Sequence, residues 1–277
     1  MDESAALPRS LPPALRLERD ELLMRSHLGL GSYSTVANAV ADGAPASLRA
    51  VALLGSALAD PSLAPAAAIQ AQEMLADADV AASATAQVVL CAVFLHAGEL
   101  APALKIASAG TTLEHLALAV QIQLRLERSD LARQSLALMV RADEDAPLTQ
   151  LAAAQVATAG GAATAKDAVY ALTTLSEQYG PSVPLLNALA AAKITAGDHQ
   201  GALSSLSSAL AASSELPSPP PSLPDTYANL LAVLARTDQG KAAGVLEKFR
   251  GEFPDHPYVR RIGVLEGAFD RVKGQFK

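Results

Sequence analysis

The chain has no tryptophan, and its five phenylalanines and five tyrosines bring aromatic residues to only 4% of 277. Strands favour aromatic and β-branched side chains, so this scarcity excludes an all-β fold. There is one cysteine, Cys91, set in the apolar run 88–95. A lone cysteine rules out a disulfide framework and any Cys-based metal site, and it fits a reducing compartment. Cations are also few: 21 Lys and Arg against 28 Asp and Glu give a formal charge of −7. That sign repels phosphate backbones and anionic lipid heads, so direct nucleic-acid or membrane binding is not expected. Two stretches without formal charge, 80–98 and 146–165, are long enough to span a bilayer. Both are diluted with Ala, Ser, Thr, Gln and Gly, which contribute little transfer energy, and they read as buried helices.

What the chain has in abundance is alanine, at 60 residues, and leucine, at 43. Both are strong helix formers, and alanine lets helix backbones approach closely. The clearest unit is 184–210: an apolar helix over 185–196, a turn at Gly197-Asp198-His199-Gln200-Gly201, and a second helix carrying Ala202, Leu206 and Ala209 on one face. The same pattern places Ala168, Leu172 and Leu175 at matching offsets, and Ala168 precedes Ala202 by the 34 residues of a tetratricopeptide repeat. Further units centre on Ala103 with Ala107, on Ala132 with Leu136, and on Ala242 with Leu246 and Phe249. In each, a small residue admits the facing helix and larger residues one turn on seal the contact.

These spacings predict an all-α fold, a right-handed α-α superhelix of stacked helical hairpins, the tetratricopeptide-like solenoid. The predicted layout is a disordered tail over 1–18, where Pro8, Pro12 and Pro13 interrupt any regular element, and one solenoid over 19–277. A Pro-rich loop insert over 216–224 lengthens one connection and reads as removable. A polar helix over 259–277 is expected to cap the C-terminal end.

No catalytic, cofactor or metal constellation is legible. The five histidines are dispersed without an HExxH pair, Gly29-Leu30-Gly31 lacks the third glycine of a dinucleotide fingerprint, and Gly240-Lys241 lacks the rest of a phosphate loop. Asp143-Glu144-Asp145 reads as a capping cluster, with Asp145 as the acceptor ahead of Pro147. No Lys or Arg has Asn or Arg four residues on, so the clamp with which some tetratricopeptide co-chaperones hold a peptide carboxylate is missing. If the first helix of each hairpin lines the groove, the candidate partner-binding residues are Gln121, Leu124, Gln150, Asn187 and Ile194.

One segment is more specific than a generic repeat. Residues 113–161 hold the core Val120-Gln121-Ile122 with Leu124 and Leu126, the turn Asp130-Leu131-Ala132-Arg133, and Asp143-Glu144-Asp145 leading into Leu148-Thr149-Gln150-Leu151-Ala152. This segment closely resembles the middle of the epsilon subunit family of coatomer, the COPI vesicle coat. Asp20-Glu21-Leu22 and Leu30-Gly31-Ser32-Tyr33 resemble the first hairpin of that family, and His256-Pro257-Tyr258 with Phe269-Asp270-Arg271 its closing helix. The chain departs from the family at Ser26-His27-Leu28, where an aromatic pair is usual, and in the Pro-rich insert. The resemblance implies a coat component without chemistry of its own, whose groove holds the carboxy-terminal part of the alpha subunit of coatomer. It also implies a cytosolic setting on Golgi membranes, in retrograde Golgi-to-ER and intra-Golgi traffic. The alternative is a scaffold or adaptor of an unrelated complex on the same superhelix.

Overall fold

The computed structural model describes residues 12–41 and 43–276. Among them there are sixteen α-helices and no strand. They form two compact units, one of the described residues up to 159 with 216–218, the other of 160–215 with 219–276.

In the first unit, α1 (Pro13–Gly29) and the short α2 (Tyr33–Ala37) lead into α3 (Ala46–Ala59), α4 (Ala64–Met74) and α5 (Ala78–Ala82). The pairs α6 (Ala84–His96) with α7 (Leu100–Ala109) and α8 (Leu113–Arg125) with α9 (Ser129–Ala142) are hairpins, and α10 (Pro147–Ala159) packs on the second of them. Val51, Leu90, Val93, Phe94 and Ile122 share one core, where Ala103 and Ala107 of α7 are buried completely. Alanine at these positions removes the spacer between backbones, so the larger residues around it can close-pack. A second core joins α8, α9 and α10 through Val120, Met139, Ala152 and Val156. Polar ties hold α1 to this body: Glu21 accepts from the Thr85 hydroxyl at 3.1 Å, and Arg25 pairs with Glu114.

In the second unit α11 (Ala162–Tyr179) packs on α12 (Val183–Ala196), which forms a hairpin with α13 (His199–Ser214). The hairpin of α14 (Leu223–Thr237) and α15 (Gln239–Glu252) follows, and α16 (Pro257–Lys273) comes last. The turn after α12 shows how the sequence ends one helix and starts the next. Gly197 takes φ +87°, in the left-handed region that glycine enters without a Cβ penalty, and the Asp198 amide donates back to the Lys193 carbonyl at 2.8 Å. The Asp198 carboxylate then accepts from the Gly201 amide at 2.8 Å and caps α13. As the spacing predicted, Ala202, Leu206 and Ala209 face inward and are fully buried, and Ala168, Leu172 and Leu175 are nearly so.

The structure revises five details. The expected tail lies outside the described residues up to position 11, but from Pro13 onward the chain is helical. Ala242 is only half-buried, because Tyr227, Phe249 and Phe253 fill that contact with rings instead. The capping acceptor ahead of α10 is Asp143, which takes the amides of Asp145 and Ala146 at 3.0 Å each. The Pro-rich insert is not a free loop. Pro220 is buried, the Ser222 carbonyl accepts from Asn187 Nδ2 at 2.8 Å, and the Ser218 carbonyl sits 3.0 Å from where a Cβ on Gly31 would be. Finally, the outer face of α16 is not wholly polar: Val264, Leu265, Phe269 and Val272 are exposed alongside its charged residues.

Candidate partner-binding surface

The five residues expected to line a groove fall in both units, Gln121, Leu124 and Gln150 in the first, Asn187 and Ile194 in the second. Gln121 and Leu124 are half-buried on α8, and Gln150 is half-buried on α10. Leu124 packs against the core of Val120 and Met139, and Ile194 against that of Ala190, Leu206 and Val233, so both spend apolar area inside their own hairpins. Gln150 donates through Nε2 to the Asp145 carbonyl at 3.3 Å. Asn187 is buried, and its amide holds the insert at Ser222. Its place is therefore structural, and the sequence offered no hint because the insert lies 35 residues away.

The polar interior is committed to structure. Ser135 donates to Gln123 Oε1 at 2.9 Å between α9 and α8, an interhelical bond with both partners buried. His115 is buried at the start of α8, with Nδ1 2.7 Å from the Thr112 hydroxyl. Its ring lies flat against Gly110, where a Cβ would come within 2.1 Å of the imidazole. Burial holds the His115 pKa below the ordinary imidazole value, and the neighbouring carboxylate of Glu114 offsets this in part. Burial likewise pushes the Cys91 thiol up to about 12, and Sγ donates to the Ala103 carbonyl at 3.4 Å. A thiol held protonated in this way is no nucleophile at neutral pH.

Among the described residues no group of three His, Cys, Asp or Glu is placed to hold a metal ion. An open cleft of about 440 Å³ between α4, α5 and α7 is lined by Leu75, Val80, Pro102 and Ile106, with Lys105 as its single charged group. It places no carboxylate, imidazole, thiol or hydroxyl beside that amine. No described helix is long and apolar enough to cross a membrane.

The surface that sequence reasoning missed is α16. Tyr258, Ile262, Leu265, Phe269 and Val272 recur at spacings of four and three and so line one side of the helix. Leu265 is 60% exposed and Phe269 68%. The signal was legible, but the stripe has the same pattern that elsewhere in this chain faces a core.

Over residues 5–277 the chain matches the model of one protein family, the coatomer epsilon subunit. The chain belongs to that family. Coatomer subunit epsilon-2 of Oryza sativa subsp. indica is 34% identical over 95% of this chain and 86% of its own length. Coatomer subunit epsilon-2 of Arabidopsis thaliana is 31% identical over 95% and 87%. Coatomer subunit epsilon of Caenorhabditis elegans is 28% identical over 92% and 86%. Among solved structures, a tetratricopeptide repeat protein from Parabacteroides merdae ATCC 43184 superposes with a TM-score of 0.58 at 13% identity, covering 88% of this chain and 90% of that one. This likeness speaks for the fold alone, an α-α superhelix of tetratricopeptide type. The matched residues run through α16 as well as the repeat core.

Proposed function

We propose that this chain is a non-catalytic structural subunit of the COPI coat that binds and stabilises the carboxy-terminal part of the alpha subunit of coatomer. It acts from the cytosol on Golgi membranes and COPI-coated vesicles, in retrograde Golgi-to-ER and intra-Golgi transport. The observation that carries this reading is the family match across residues 5–277, together with relatives named as coatomer epsilon subunits that align over nearly the whole chain. The interior agrees with a structural role, because its buried polar groups Ser135, Gln123 and Asn187 tie helices together and converge on no cleft. Within this reading Gln121, Leu124 and Gln150, half-buried on neighbouring helices of the first unit, are proposed groove contacts, and Ile194 a fourth in the second. Leu124 and Ile194 carry the larger share there, since apolar anchors dominate such interfaces.

The test is size-exclusion chromatography with light scattering on the full chain, alone and co-expressed with the carboxy-terminal third of the alpha subunit from the same organism. A stable one-to-one complex is expected. Two separate peaks, with this chain folded by circular dichroism, would leave a tetratricopeptide-like scaffold of another complex.

A further inference from the structure

Of the 17 prolines in this chain only Pro219 follows a serine or threonine, and the residue before it is Ser218. The pair lies in the stretch Leu216-Pro217-Ser218-Pro219-Pro220-Pro221-Ser222, between the end of α13 at Ser214 and the start of α14 at Leu223. A residue that precedes proline is turned away from the helical region toward extended backbone, and proline itself offers no N–H. An extended serine followed by a residue without an amide hydrogen is what the substrate cleft of a proline-directed protein kinase accepts.

The structure separates Ser218 from the serines around it. Ser213 and Ser214 lie in the last turn of α13, where their hydroxyls donate to the Leu210 and Ala211 carbonyls at 2.8 and 2.7 Å. The Ser222 hydroxyl is buried. Ser218 is half-buried between the exposed Pro217 and Pro219, outside any helix, and its hydroxyl has no hydrogen-bond partner among the described residues.

The backbone of Ser218 is seated on the turn between α1 and α2. Gly31 holds φ +77° there, and a Cβ on it would lie 3.0 Å from the Ser218 carbonyl oxygen and 3.7 Å from the Ser218 Cβ. The Ser218 side chain therefore starts at the contact itself. A phosphate on it would add about −1.5 to −2 charges at neutral pH, and such a group orders a segment only where cations meet it. Residues 194–235 contain no Lys or Arg, and neither do residues 26–48, which hold the turn. The charged residues nearest in sequence to Ser218 are the acids Glu215 and Asp225. A dianion here meets like charge along its own chain and neither guanidinium nor ammonium from the turn beneath it, so water is the better place for it.

We infer that Ser218 is a phosphorylation site for a proline-directed protein kinase, and that the phosphate lifts residues 216–218 off the turn between α1 and α2. In the transfer, Ser218 Oγ bonds to the γ-phosphorus of MgATP as the bond to the bridging oxygen breaks, the hydroxyl proton passes to the catalytic carboxylate of the kinase, and ADP leaves. The seat on Gly31 has to open for the kinase to take in the segment, and the phosphate then opposes its return. The modification is independent of which partner fills the groove.

The experiment incubates the full-length chain with MgATP and a purified mitogen-activated protein kinase, and maps the phosphate by peptide mass spectrometry. Transfer to Ser218 is expected. Ser218→Ala should take up no phosphate, and Pro219→Ala, which keeps the hydroxyl, should be labelled at least about tenfold more slowly; circular dichroism of both should match the parent. Amide hydrogen exchange then compares the phosphorylated and unmodified chains. Exchange over residues 26–36 and 213–223 should be at least about fivefold faster with phosphate on Ser218, while α8 and α9 stay unchanged. Absence of phosphate at Ser218 overturns the inference, as does labelling of Pro219→Ala at the parental rate. Phosphate on Ser218 that leaves exchange over both segments as it was overturns the release of the insert.

Discussion

Ala202 is the position at which the hairpin of α12 and α13 is most sensitive to side-chain size. It is fully buried, and it shares a core with Ala190, Leu206 and Val233, ringed by half-buried Ile194, Leu203 and Leu230. Replacement with Arg inserts a long side chain into this contact. Overpacking of that kind costs about 1–3 kcal/mol. The guanidinium would also have to find a partner, and the charged group of α12 on this side is another cation: Lys193 Nζ already donates to the Gly201 carbonyl at 3.4 Å and the Ser205 hydroxyl at 3.0 Å. An unpaired buried charge costs several kcal/mol more. The sum, about 5 kcal/mol or above, rivals the whole stability of an ordinary domain. Ala202→Arg should therefore unfold the second unit, whereas Ala211→Arg, the same exchange at an exposed position of α13, should be close to neutral. Urea denaturation followed by circular dichroism at 222 nm measures both. If the two variants unfold at the same midpoint as the parent, the inward register assigned to α13 is refuted.

Other consequences can be checked by urea or thermal denaturation. Gly110→Ala should cost about 1–3 kcal/mol, since its methyl would enter the space of the His115 ring and that ring is buried. A melting temperature within a degree of the parent would show that the ring is not held there. Because the folded pKa of His115 is lowered, the unfolded chain binds its proton more readily, so this residue's contribution to stability is intact above the unfolded imidazole value near 6.5 and is lost as pH falls below it. His115→Asn should flatten part of that acid-side decline between pH 7 and 5, and a decline of identical steepness in the variant would place its origin elsewhere. Deleting 218–222 should lower the urea midpoint of the second unit, because it strips Asn187 of its bond to Ser222 and removes buried Pro220; an unchanged midpoint would return the insert to the status of a spare loop. Glu127 closes the turn between α8 and α9 at φ +59°, a conformation that glycine takes in the turn after α12. Glu127→Gly should therefore raise stability by about 0.5–1 kcal/mol, net of the entropy glycine loses on folding.

Much of the fold was legible in the chain. The hairpin of α12 and α13 was placed by an apolar run, a Gly-Asp turn and three residues at helical spacing, because helix propensity, capping and face periodicity are written in near neighbours. The alanines at 103, 132, 168 and 202 marked close helix contacts for the same local reason. The family was legible too, in the segment from Leu113 to Gly161. The bond of Asn187 to Ser222 was not legible, because a polar residue on an apolar helix looks alike whether it faces a partner or a distant loop of its own chain.

What the sequence by itself determined is the helical class, the hairpins from α6 to α15 that it marked with small residues, most of their inward alanines and the coat family, all of which rest on patterns among near neighbours. Tertiary structure alone decided which of those patterns end in a core. It set His115 against Gly110, tied Asn187 to Ser222, and left the seam of α16 in water while an equivalent seam on α13 lies buried. The physical reason is that an amphipathic period specifies a face, whereas burial needs a second surface brought from elsewhere in the chain, or from a partner.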